Sequence, residues 1–187
     1  MRPGVIIVLS GVGLLAGTIL ISRSGQKSVK GGKVPDASQG SLDTAVVKFQ
    51  ALVDSTVGWP YVHGGGGPGR LSAGRTGVDC SGYVTNILYK IGLVDGEARV
   101  NADWLRAHAT PIPKGQQQPG DVLAFHGHVE LVYSYPDTNG EVVLIGASGK
   151  PGTPSGRVHT KASKGYMTER VIGYYRVGNI EESPALV

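Results

Sequence analysis

One cysteine and five histidines are the side chains of this chain best suited to nucleophilic chemistry. Cys80 lies in Val78-Asp79-Cys80-Ser81-Gly82, where a turn gives way to an apolar-periodic stretch that predicts a helix over Cys80 to Ile91, ended by Gly92. A thiol at a helix N-terminus meets unpaired backbone N–H groups and the positive end of the dipole, which together favour thiolate and activate it. An inert buried cysteine needs no such position. With one cysteine there is no intramolecular disulfide and no multi-cysteine zinc site.

A thiolate needs a base brought to it by the fold. His63 stands in a glycine-rich loop, His108 ends a short predicted helix around Ala102 to His108, and His159 lies in a polar late segment. His126 and His128 flank Gly127 at a junction between two apolar runs. His128 opens the run His128-Val129-Glu130-Leu131-Val132, where a sheet strand would hold its side chain in register. His128 is therefore the expected base. His126-Gly127-His128 offers half a metal site with no third ligand in view, so neither metal nor other cofactor is expected. The run Gly64 to Gly69 lacks the Gly-Lys-Ser/Thr ending of a phosphate loop.

The elements that must position these groups read as α+β. Leu42, Val46, Phe49, Leu52 and Val53 recur at helical spacing in a segment that starts near Ser41 and stops at Gly58. After Pro119-Gly120 the pattern changes to short runs rich in Val, Tyr and Ile, at 121–126, 128–135, 141–147 and 170–177, which predict antiparallel strands. Helices first and strands afterwards make an α+β domain.

Ahead of that domain, Val5 to Ser22 is uncharged and mostly aliphatic, long enough as a helix to cross a bilayer core. The run ends without a small-residue cleavage site, so an uncleaved single-pass anchor in membrane lipid is expected. Gly13 and Gly17 form a GxxxG pair that would permit weak self-association of the anchor. Residues 23–40 are rich in Gly, Ser and Lys and read as a flexible basic linker. Five of the eighteen Lys and Arg precede residue 35, leaving thirteen against fourteen Asp and Glu in the rest. A nearly neutral domain of this kind argues against nucleic acid as a partner. The expected divisions are anchor 1–22, linker 23–40, catalytic domain 41–178 and a C-terminal tail 179–187. More positive charge follows the apolar run than precedes it, which on the positive-inside rule points the domain to the cytoplasm.

Four blocks in order carry a resemblance: Gly58-Trp59-Pro60-Tyr61-Val62-His63-Gly64-Gly65, Asp79-Cys80-Ser81-Gly82-Tyr83-Val84, Pro119-Gly120-Asp121-Val122 and His128-Val129-Glu130-Leu131-Val132. Together they resemble the NlpC-type cell-wall peptidases. The resemblance implies a papain-like domain that hydrolyses peptide bonds in peptidoglycan stems, with Cys80 as nucleophile and His128 as base. It implies that Tyr61, Asp79 and Ser81 line a pocket for the substrate's amine and contribute to the oxyanion site. It further implies a domain facing a cell wall, so either the charge rule fails here or the membrane is not an ordinary cell envelope but, for example, that of a virion.

Two positions depart from the family pattern. His63 stands where a Trp is usual, and Gly146 falls at the third catalytic position, where a glycine can orient nothing. Ser148 and Glu130 are the candidates to replace it. The alternatives to an endopeptidase are an amidase or acyltransferase on the same fold, or a wall-binding module with a weakened site.

Overall fold

The computed structural model describes residues 37–66 and 77–186; the expected anchor and most of the linker lie outside them. Among the described residues no helix is long and apolar enough to cross a membrane.

Three helices precede a six-stranded sheet. Helix α1 runs Ala37–Asp54, α2 Cys80–Lys90 and α3 Ala102–His108. The strands are β1 Thr110–Ile112, β2 Val122–Phe125, β3 His128–Val132, β4 Val143–Ser148, β5 Arg157–Ala162 and β6 Val171–Arg176. They pair antiparallel in the order β1-β6-β2-β3-β4-β5, so the architecture is the expected α+β.

The predicted helices appear at their places, α1 starting four residues before Ser41. Its spacing buries Val46, Phe49 and Val53 on one side. Helix α2 packs on β3 and β4, and its Tyr83, Ile87 and Leu88 join Leu131, Ile145 and Leu105 in the main core. A second cluster of Leu123, Phe125, Val132, Leu144 and Tyr174 covers the opposite face of the sheet. Alternation along β3 therefore sends Val129 and Leu131 to the helices, and Glu130 and Val132 the other way.

Two strands escaped the sequence reading. β1 is a three-residue edge strand carrying Pro111, which demotes any strand signal. β5, Arg-Val-His-Thr-Lys-Ala, buries Val158 but otherwise alternates polar side chains, so its period is there without an apolar face. The segment expected to be a tail is also part of the packed body. Ile180, Ser183 and Leu186 are buried, and Ser183 Oγ donates to the Ile91 carbonyl at the end of α2.

The Pro119-Gly120-Asp121 block turns out to be scaffolding. Asp121, 2% exposed, takes both Arg176 Nε and Nη2 at 2.8 Å and a backbone N–H from Gln118. It ties the start of β2 to the end of β6.

Candidate active site

Helix α2 begins at Cys80 because Asp79 caps it. Asp79 is extended, and its Oδ1 accepts the Gly82 N–H at 2.6 Å, meeting one of the helix's unpaired donors. Ser81 Oγ donates to the same oxygen at 3.1 Å. Gly82 is required here: a Cβ on it would come within 2.4 Å of the Gly65 carbonyl. The two glycine-containing blocks of the sequence are thus a single backbone contact that seats the helix N-terminus.

Cys80 is partly exposed, and its thiol lines the same cleft as the imidazole of His128 at the start of β3, close enough to influence its titration. Two residues further along the same strand, Glu130 shares that face of the sheet and is fully buried. The His128 Nε2–H donates to Glu130 Oε1 at 2.6 Å, which leaves Nδ1 as the ring nitrogen for the thiol. Burial, the largest influence, lowers the His128 pKa, but the hydrogen bonds to Cys80 and Glu130 and their charges outweigh it and raise it to about 9. The imidazolium is therefore favoured over a wide range of pH. Phe125 and Tyr166 pack around the ring, with centroids 5.8 and 6.3 Å from it.

Gly146 explains how Glu130 fits. Extending the Leu131↔Ile145 register of β3 and β4 by one residue sets Glu130 opposite Gly146. A Cβ at 146 would lie 1.9 Å from Glu130 Oε2. Glycine at 146 makes room for a carboxylate supplied by the neighbouring strand, so of the two candidates Glu130 is the one that touches His128. Ser148 Oγ accepts from Lys161 Nζ at 2.7 Å, and that same ammonium donates to Glu130 Oε1 at 2.6 Å. Lys161 was not singled out by the sequence; its place beside Glu130 follows from the pairing of β4 with the unrecognised strand β5, where it lies opposite Leu144.

The residues expected in the pocket divide. Tyr61 pairs through its backbone with Val78, and its pKa is raised by burial and then by the nearby charges of Cys80 and Asp79. Asp79 is 6% exposed, and its second oxygen, Oδ2, meets Arg99 Nη2 at 2.5 Å. Both carboxylate oxygens therefore have protein partners, the helix N-terminus and Arg99. Ser81 is buried beside it.

Among the described residues, the other histidines have no contact with Glu130 like that of His128. His126 is exposed and lines a cleft of about 290 Å³ that Cys80, Ser81, Arg106 and His128 also line. His108 stacks on Trp104 and donates its Nδ1–H to the Trp104 carbonyl, and His159 sits on β5 and donates its Nδ1–H to the Arg157 carbonyl. No group of three or more metal-ligating side chains occurs among the described residues.

The comparisons with known proteins bear on this geometry. None of the curated proteins matches the chain. The crystal structure of a Staphylococcus aureus protein described as similar to a lipoprotein of the NLP/P60 family aligns with a TM-score of 0.45 and 22% identity. That alignment covers 82% of this chain and 45% of the other, so the chain spans less than half the length of that protein. The profile of the NlpC/P60 family matches residues 58–176, from the glycine before Trp59 to the last residue of β6, and so takes in Tyr61, Cys80, His128 and Glu130. On that match the chain belongs to the NlpC/P60 family, whose members are generally cysteine peptidases and hydrolases of peptidoglycan.

Proposed function

We propose that this protein is a membrane-anchored cysteine endopeptidase of peptidoglycan stem peptides, with a papain-like catalytic domain in which Cys80, His128 and Glu130 act as nucleophile, base and orienting group. The observation that carries it is the line from the N-terminus of α2 through His128 to a buried carboxylate 2.6 Å away. Such a line holds an imidazole in one orientation with its free nitrogen toward the thiol.

The Cys80 thiolate attacks the carbonyl carbon of a stem-peptide bond, and the oxygen gathers negative charge at the helix N-terminus. With the Gly82 N–H taken by Asp79, the N–H groups of Cys80 and Ser81 are the donors for that oxyanion. As the C–N bond breaks, the imidazolium of His128 gives its proton to the departing amine, leaving a thioester on Cys80. Water then attacks the thioester, His128 takes its proton, and the new carboxylate leaves with the thiolate restored. Tyr61 and Ser81 flank the thiol and are assigned to substrate binding. Asp79 is assigned there too, with its Arg99 partner as part of the same wall.

The uncharged run 5–22 supports a single-pass anchor, and the Gly/Ser/Lys linker after it supports a tether that lets the domain reach a cell wall outside the membrane, in an envelope or a virion. Incubation of purified protein with defined muropeptides, followed by mass spectrometry of the products, tests the reaction. Two peptide fragments that together have gained one water identify an endopeptidase. Separation of the glycan from an intact stem identifies an amidase, and unchanged muropeptides with retained wall binding identify a binding module.

A further inference from the structure

We infer that Lys161 is a positioning residue for the dyad, a buried ammonium that acts through Glu130 to balance the charge of the reactive thiolate. The observations are geometric. The Glu130 side chain is fully buried, yet its single oxygen Oε1 receives both His128 Nε2 and Lys161 Nζ at 2.6 Å. Lys161 is itself only 11% exposed, is held by Ser148 Oγ at 2.7 Å and lies 4.9 Å over the ring of Tyr166. An ordinary surface lysine needs none of this enclosure.

Charge counting gives the consequence. In the reactive state Cys80 and Glu130 are negative while His128 and Lys161 are positive, so the set is neutral. Without Lys161, forming the thiolate leaves a net negative charge in a place poorly reached by water, which raises the pH needed to form it. The other groups facing this set do not supply the missing charge: in the cleft Arg106 is paired with Asp103 at 2.7 Å, and His126 is exposed to solvent. Tyr166 reaches His128 Nε2 at 3.3 Å but is a neutral phenol, its pKa pushed up to about 12 by burial and by Glu130. Tyr83 from α2 is a neutral phenol held against Thr56. On the other side of the thiol Tyr61 is neutral, and Arg99 is spent on Asp79.

The inference rests on Cys80–His128 being the reactive pair, not on which bond is cut, and its test uses no peptidoglycan. Cys80 is the chain's one cysteine, so the rate of alkylation by iodoacetamide across pH reports on it alone. Lys161→Gln, which keeps a hydrogen-bond donor but no charge, should move the midpoint of the reactivity profile upward by on the order of one pH unit. Lys161→Arg should restore it to within a few tenths. The double variant Glu130→Gln with Lys161→Gln removes both charges, and should unfold at a temperature closer to wild type than Glu130→Gln alone, which strands the ammonium. A Lys161→Gln profile that coincides with wild type overturns the inference, as does a double variant no more stable than Glu130→Gln. A wild-type profile identical to that of free cysteine, and unchanged by His128→Ala, would instead count against the dyad itself.

Discussion

At the scale of single residues the site turns on an exchange between two strands. The resemblance puts the orienting group at position 146, yet the structure has a glycine there and a carboxylate across the ladder at Glu130. With 1.9 Å between a would-be Cβ and Glu130 Oε2, Gly146→Ala must push the carboxylate away from His128. That overpacking should cost about 1–3 kcal/mol of stability. The displaced carboxylate should also lower the hydrolysis rate on the order of a hundredfold, the penalty expected when a catalytic group is misplaced by about an ångström. Denaturant titration and initial rates check both, and a fully active variant would remove Glu130 from the mechanism. The pH behaviour of His128 gives a second check. Its pKa in the folded protein is about 9, above the 6.5 of an unperturbed imidazole, because the hydrogen bonds to Cys80 and Glu130 outweigh burial. The stabilisation from the protonated ring is therefore complete below about pH 6.5 and is lost as pH rises through about 9. The gap in melting temperature between wild type and His128→Ala should narrow steadily from pH 6.5 to 9.5; a gap that stays constant would contradict the ion pair.

At the scale of elements, α2 is the part that brings chemistry and scaffold together. Asp79 caps it and pairs with Arg99, so its structural and substrate roles can be separated by substitution. Asp79→Ala removes the cap and should cost about 1 kcal/mol of stability. Asp79→Asn keeps an oxygen for the Gly82 N–H, so it should lose less stability. If the carboxylate also binds the substrate's amine, KM for muropeptides should rise with Asp79→Asn while kcat changes little. An unchanged KM would leave Asp79 as a cap alone. Much of the element level was legible in the sequence, and the physical reason is visible in each case. Helix α2 announces itself by Asp79 before its first turn and Gly92 after its last, and β2, β3 and β4 by buried branched residues. β5 was missed because the face that carries Arg157, His159 and Lys161 is polar although Lys161 is enclosed by the site, so no apolar stripe marks the strand. The same miss hid Lys161. The choice between Ser148 and Glu130 was closed to sequence reasoning because it depends on strand register, which only the paired sheet fixes.

At the scale of the whole molecule, the domain that starts with α1 is closed by its own C-terminal residues, since Ile180, Ser183 and Leu186 are buried. Catalysis should therefore need nothing from residues 1–34. A chain beginning at Pro35 should remain soluble and cut small muropeptides as fast as the full chain, whereas the full chain should resist extraction by salt and carbonate and yield to detergent. Release of the full chain by carbonate, or recovery of a form that begins near Arg23, would argue for a secreted protein instead. The central claim, that one thiol and one imidazole hydrolyse a peptide bond, has its most direct measurement in rates of peptide release from purified peptidoglycan. Wild type, Cys80→Ala, His128→Ala and His126→Ala should be compared, each first shown to be folded by circular dichroism. The account predicts no detectable release by Cys80→Ala, a loss on the order of a thousandfold or more for His128→Ala, and a far smaller change for His126→Ala. Full activity in folded Cys80→Ala, or equal losses from the two histidine substitutions, would contradict it.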